Sequence, residues 1–537
     1  MAGATRSRLV EGDTTATDAV AGATVGLSAV LFALAVAAMF EWVSLTGTVV
    51  GLPTVTVLGG LLIGLGIAVS LFGLGSRFGY VETEPDASAG LVASVGAAMP
   101  WFVIGGGVVS GTLGLGTAAG VVGSVLVGGL AFVGTAVPRE DVGSTVPLGV
   151  LLTFVGTVFL TGTIGPEWLW DLGWEQQASI TAEFLVPIAT LFCALYGGWA
   201  AAKAYGRFGA RGRHMGAYVL VYLNAMSIVA FLFILIAFVV VQGITGLLYG
   251  VQVGAGVGPQ VFGSFELPVY VPFVMNGVAL LNDFQGVLPA IVGTIWLVIG
   301  AVLFAVPLGV GAAVFLTEYA ERGRFTQAVE VATNGLWSTP SIVFGLFGYA
   351  FLIPRFGNGK SLLAGMLTLG FMLLPLVLIT SREAMLSVPD EYRDASAALG
   401  VPKWQTIRSV VLPAALPGVM TGVILGVGRI AGETAPILLT MAGGTFVPGG
   451  QTVDVIGGFE FTGSPPFVAN PELLQATSAL PYQLYALITA GVGLGSNVAD
   501  PDGFRWATAL VLLLVVLSFY AIGIGARYYF RQRLRYE

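Results

Sequence analysis

Asp394-Ala395-Ser396-Ala397-Ala398-Leu399-Gly400, with Val410, Leu412 and Pro413 downstream, is a charged, small-residue island in an apolar chain. It lies in a polar interval, residues 382–413, that carries Arg382, Glu383, Asp390, Glu391, Arg393, Asp394, Lys403 and Arg408 between two strongly apolar segments. Pro389 can open a helix, Asp390 and Glu391 suit its first turn, and Gly400 can end it. Val401-Pro402 then starts a second short helix. The interval therefore predicts a helix-turn-helix displayed between two membrane spans. The small residues at 395–398 allow close backbone approach, and the glycine sets the angle between the two helices.

The rest of the chain fixes the class. Of 537 residues, 56% are hydrophobic and 9% charged, where a soluble protein carries about 25% charged residues. Gly accounts for 78 positions, which points to close helix packing. The apolar runs are too long for barrel strands and lack their period of two. The chain is thus read as an all-α, polytopic helical membrane protein. About 20 apolar residues per crossing give about twelve transmembrane helices, at 24–47, 49–74, 89–112, 116–137, 145–164, 180–204, 217–248, 287–316, 334–354, 361–381, 414–442 and 506–530. The polar N-terminus carries no cleavage pattern before the first span, which is expected to stay in the membrane. Scarce lysine (Lys203, Lys360, Lys403) and a pI of 4.9 hint at salt adaptation.

With the N-terminus placed inside, 18 of the 22 basic residues fall on inside segments, Arg6, Arg8 and Arg322 among them. Arg355, Lys360 and Arg505 fall outside, and Arg429 lies within a span. This positive-inside bias puts both termini and the Asp394 interval in the cytoplasm. The outside loop Glu167 to Glu175 is acidic and Trp-rich, as interfacial aromatic belts are. The loops 250–286 and 443–504 are long enough to receive an extracellular binding protein. A division near residue 210 leaves six spans before it (1–210), which hold no second copy of the Asp394 pattern, and six after it (211–537). Single Cys193 forms no internal disulfide, and single His214 reads as a solvated loop residue. Gly359-Lys360-Ser361 looks like the end of a phosphate-binding P-loop, but Pro354 stands where its first glycine belongs. The chain is not expected to hydrolyse ATP.

Arg429 lies in the eleventh span, with Glu433 four residues on. An arginine at bilayer depth is costly and marks function by default. Its planar fork suits a tetrahedral oxyanion, and Glu433 can accept from Arg429 or from a protonated anion, which favours hydrogen phosphate over sulfate. The bland alternative is an Arg-Glu pair that holds two helices together. Gly418, Gly422 and Gly426 form a stripe that lets a second helix approach, Gly428 with Gly432 another, and Pro436 can kink the helix.

The Asp394 interval resembles the cytoplasmic coupling loop of ABC importer permeases. Asp394-Ala395-Ser396 stands for the family's Glu-Ala-Ala, Gly400 for its glycine, Val410 for its aliphatic residue and Leu412-Pro413 for its Leu-Pro ending. Arg429-Ile430-Ala431-Gly432-Glu433-Thr434-Ala435-Pro436 resembles the signature of the phosphate importer permeases PstA and PstC. Pro340 to Gly348, Leu288 to Thr294 and Pro307 to Gly311 resemble further shared stretches. The resemblance covers about 217–537 and is nearer to PstA. It implies a C-terminal six-span type I ABC importer permease core, with Asp394, Ala395, Ser396, Gly400, Val410 and Pro413 in the ATPase-coupling loop. Arg429 and Glu433 are then implicated in phosphate movement. Arg382 stands near the family's Arg-Thr-Thr-Glu run, in which Ile379 occupies the arginine's place, and is taken as a third substrate residue. The implied partners are a PstC-like permease chain, ATPase subunits that use the ATP, an extracellular phosphate-binding protein, phosphate and membrane lipid. No cofactor of its own and no nucleic acid are expected. The rival readings are a permease for tungstate, molybdate or sulfate, and a secondary transporter or channel without an ATPase.

Overall fold

The structure is a computed structural model, and it describes residues 16–49, 51–171, 179–254, 256–261, 265–277, 286–321, 323–442, 452–465, 467–489 and 501–536. Arg6, Arg8, Arg322, the centre of the Trp-rich loop and parts of both long loops lie outside the described residues. Helices dominate, and the strands are two- or three-residue hairpins in the loops. Among the described residues, eleven helices are long and apolar enough to cross a membrane. A twelfth crossing exists only if one bent pair of helices is counted as a span. The chain forms two compact units, residues 1–235 and 236–537.

The first unit holds α1 (Ala16–Met39), α2 (Thr54–Arg77), α3 (Leu91–Gly107), α4 (Gly116–Ala136), the short α5 (Glu140–Gly143), α6 (Val146–Leu160), α7 (Ala182–Tyr205) and the start of α8 (Gly209–Leu247). Its helices associate in pairs, α1 with α7, α2 with α6 and α3 with α4. Glycine makes these approaches possible. A Cβ on Gly59 would lie 2.7 Å from the Gly156 carbonyl oxygen, and one on Gly66 would lie 2.6 Å from that of Gly149. In lipid the association rests on such close packing rather than on hydrophobic burial. One end of this unit is tied by charge. Lys203 and Glu140, both almost fully buried, pair at 2.7 Å, and Glu140 Oε2 accepts from the backbone N–H groups of Asp86 and Gly209 at 2.9 Å each. The buried carboxylate is thereby neutralised at Oε1 by the lysine charge and hydrogen-bonded at Oε2.

The second unit contains the short α9 (Pro272–Met275), α10 (Leu288–Val314), α11 (Arg324–Ser338), α12 (Ser341–Phe347), α13 (Leu362–Leu386), α14 (Asp390–Ala398), α15 (Lys403–Thr406), α16 (Leu412–Ala431), α17 (Ala435–Thr440), α18 (Leu480–Thr489) and α19 (Pro501–Tyr536). Buried Leu297, Leu369, Leu373 and Val377 form the seam between α10 and α13. The glycine stripe of α16 lies on α13: a Cβ on Gly418 would meet Ala384, one on Gly422 would meet Thr380, and one on Gly426 would meet Leu373. Gly428 instead accommodates the Tyr520 ring of α19, whereas Gly432 has no such neighbour.

Three expectations change. Residues 334–354 are not one straight span: α11 and the helix that runs from Ser341 to Arg355 meet at 101° across Thr339-Pro340. The helix from Lys403 runs without interruption to Ala431, so Pro402 opens a membrane span rather than a separate short helix. The span expected over 414–442 breaks at Gly432-Glu433-Thr434 before α17 begins. Pro436 sits in the first turn of α17, where a missing N–H costs nothing, and so the break precedes the proline. Part of the long segment before α19 packs into the unit. Thr477, Ala479 and Leu480 are fully buried, and Leu480 donates its N–H to Thr294 on α10 at 2.9 Å.

Candidate functional site

The Asp394 helix ends as its sequence dictates. Gly400 takes φ +71°, its N–H donates to the Ala397 carbonyl at 2.9 Å, and Val401 N–H donates to that of Ser396 at 3.1 Å. This double bond pattern is the Schellman ending, which needs a left-handed residue at the glycine position. Arg393 fixes the helix to the rest of the unit. Its guanidinium donates to Glu318, beyond the end of α10, at 3.0 and 3.2 Å, to Asp390 at 3.1 Å, and to the carbonyls of Val388 and Met385 at 2.8 and 3.0 Å. Lys403 lies over the Tyr319 ring, 5.2 Å from its centroid.

The motif residues divide by environment. Asp394, Ala395, Ala397, Ala398 and Gly400 are exposed, next to exposed Tyr392, Leu399 and Trp404. Ser396 is buried, and its hydroxyl donates back to the Tyr392 carbonyl at 2.9 Å. Val410 and Pro413 are half-buried where the helix passes into α16. The alanines, Tyr392, Leu399 and Trp404 thus form an uncovered small-residue and apolar surface on an otherwise polar loop.

A second site forms where two interrupted helices lie side by side. The break between α11 and α12 and the break between α16 and α17 are brought together because α12 packs on α17: a Cβ on Gly345 would lie 2.9 Å from Pro436 Cα, and one on Gly348 would meet Thr440. Arg429 is in the last turn of α16, not at the middle of a span, and Glu433 is in the break itself. The pair still forms, with Nε 3.8 Å from Oε1, too long for a hydrogen bond. The guanidinium carbon sits 4.3 Å from the centroid of the Trp337 ring, two residues before the other break. Among the described residues, no guanidinium N–H of Arg429 makes a hydrogen bond, and the side chain is 35% exposed. Arg393, by contrast, has its fork fully engaged. One arginine is structural; the other has donors to offer.

Arg382 is elsewhere in the same unit. It pairs with Glu330 on α11, in a small cleft of about 160 Å³ shared with Leu316, Thr333, Asn334, Leu378, Ile379 and Glu383. Glu330 and Trp337 are seven residues apart, so both arginines address one face of α11 at points about 10 Å apart along its axis. Sequence reading missed Trp337, Glu330 and Glu318. The amphipathic pattern of 324–338 and the Ser-Thr-Pro at its end mark the helix and its break, but no local signal names the partners across space. Lys360, in the discarded P-loop lookalike, donates to the Leu438 carbonyl of α17 at 2.8 Å, and Ser361 caps α13.

Residues 305–536 match the profile of the binding-protein-dependent transport system inner membrane components. The phosphate transport system permease protein PstA of Haemophilus influenzae is 31% identical over 252 residues, which cover 47% of this chain and 78% of that protein. PstA 1 of Mycobacterium tuberculosis is 42% identical over 154 residues, covering 29% and 50%. The probable ABC transporter permease protein YqgI of Bacillus subtilis is 31% identical over 226 residues, covering 41% and 67%. On these matches and on the helices that carry them, the chain belongs to the binding-protein-dependent transport system inner membrane components, among the PstA-type permeases.

Proposed function

We propose that the chain carries inorganic phosphate across the cell membrane as one half of a channel whose other half is a PstC-like permease chain. The permease domain is residues 211–537, and residues 1–210 are an added membrane region. Both termini and the Asp394 loop face the cytoplasm, where the exposed alanines, Tyr392, Leu399 and Trp404 receive an ATPase subunit. ATP is hydrolysed on that subunit, and an extracellular binding protein delivers the phosphate.

The observation that carries the substrate reading is the state of Arg429. Its fork is held by a ring face and a carboxylate at 3.8 Å, and its N–H groups have no hydrogen-bond acceptor among the described residues. Charge-assisted, bidentate donation to an oxyanion is the use that fits such a fork at a break between helices. Glu433 accepts from a protonated oxygen, which selects hydrogen phosphate over fully ionised sulfate. Arg382, on α13 and paired with Glu330 of α11, offers a second arginine about 10 Å further along the same face of α11. The test is uptake of labelled phosphate by cells that lack other phosphate importers and express the chain with its partners. Uptake should be competed by arsenate and not by sulfate, tungstate or molybdate, and Glu433→Gln should erode the discrimination against sulfate. Equal competition by tungstate or molybdate would assign a different oxyanion.

A further inference from the structure

Trp337 lies against the Arg429 guanidinium, whose N–H groups make no hydrogen bond among the described residues. It lies two residues before the Thr339-Pro340 break, on a helix with few buried side chains. The 4.3 Å separation from the Arg429 guanidinium to the ring centroid is within cation–π range. A guanidinium held face-on to a ring keeps its N–H edge free, because the ring takes the face and no donor. Glu433 offsets the charge from the Nε side without consuming a hydrogen bond. At the other end of the same face, the Arg382–Glu330 pair ties α11 to α13. The ring is therefore a held platform rather than a loose neighbour.

We propose that Trp337 is the positioning residue for Arg429: its indole face fixes the plane of the guanidinium so that the bidentate edge stays open to a tetrahedral oxyanion. The reading rests on Arg429 being the substrate arginine. It assigns Trp337 no contact with the anion; the residue acts through Arg429. Arginine suits this arrangement better than lysine, because only a planar cation can stack and donate a fork together.

The experiment measures labelled phosphate uptake by the full chain with its partners, as a half-saturation concentration and a maximal rate, both normalised to inserted chain. Trp337→Leu should raise the half-saturation concentration by about 3- to 30-fold, the range expected from a cation–π contact between exposed and desolvated limits. Trp337→Phe should restore most of it. Tryptophan analogues with one, two and three ring fluorines, placed at 337 by stop-codon suppression, keep the size of the ring and weaken its face. Half-saturation should climb step by step with the fluorine count. A flat response across the fluorinated series overturns the proposal and leaves Trp337 as packing. So does a Trp337→Leu chain that loses only maximal rate. The fluorinated series decides the matter even if Trp337→Leu fails to insert. Failure of the underlying reading shows separately, as normal uptake by Arg429→Gln, whatever the Trp337 variants do.

Discussion

Arg393→Ala should loosen the Asp394 helix while leaving the spans intact. The wild-type guanidinium makes five hydrogen bonds, two of them to Glu318, whose side chain is only 8% exposed. Truncation leaves that carboxylate and the Val388 carbonyl without the arginine, while the Met385 carbonyl keeps the Val388 N–H. Breaking a buried ion pair costs about 3–5 kcal/mol, and with Arg393 itself 22% exposed the low end, about 3 kcal/mol, applies. The cost falls on local opening rather than on global unfolding, because the lost bonds all lie at the base of this loop. A loss of about 3 kcal/mol is roughly two decades in the opening equilibrium. The assay is hydrogen exchange read by mass spectrometry on the peptide that spans the helix end, where the N–H groups of Leu399, Gly400 and Val401 are bonded. Its exchange should accelerate about 100-fold, with the peptides of α13 unchanged. Arg393→Lys should fall between, since lysine keeps the charge and loses the fork. Unchanged exchange in Arg393→Ala would refute the anchoring role.

Gly400→Ala meets open space but must hold φ +71°, so it should weaken the helix end by about 1–2 kcal/mol with transport retained, whereas Gly400→Leu, which adds bulk on the exposed face, should uncouple ATP hydrolysis from uptake. Equal transport by the two variants would deny that this face is a docking surface. Gly422→Val would place its Cβ 2.0 Å from the Thr380 hydroxyl oxygen, and should cost about 1–3 kcal/mol as a lowered unfolding midpoint in detergent. An unchanged midpoint would mean that α13 and α16 are not held at this distance. A cysteine at Ser464 should react with an impermeant reagent from outside, and one at exposed Ala397 should not. Reaction of both or of neither would reverse the proposed orientation or the span count. Ser396 is a poor probe, because it is buried.

The Asp394 helix was legible because its limits are written locally. Pro389, Asp390 and Glu391 open it, and Gly400 closes it through a left-handed residue that the sequence marks plainly. The glycine stripe of α16 was legible for a similar reason, since a spacing of four places Gly418, Gly422 and Gly426 on one face. The end of that span was not. Residues 432–442 remain apolar enough to extend a hydropathy window, and Pro436, read as a kink within one span, instead sits in the first turn of a new helix after the break at Gly432-Glu433-Thr434. The bent pair was passed over although Pro340 marks its break, because hydropathy averages across Thr339-Pro340. Trp337 and Arg429 are far apart in sequence, and their contact depends on two breaks packing side by side. No periodicity carries that information. Glu318 and Arg393 are a further case, since each alone reads as an ordinary loop charge.

Phosphate transport by this chain depends on passage of the anion past Arg429. The most direct measurement is uptake of labelled phosphate by Arg429→Gln and Arg429→Lys, expressed with the partner chains in cells without other phosphate importers and normalised to inserted chain. Arg429→Gln should abolish uptake with little loss of protein, and Arg429→Lys should restore only part of it, because lysine carries the charge without the bidentate fork. Normal uptake by well-inserted Arg429→Gln would contradict the account and leave the Arg429–Glu433 pair as architecture.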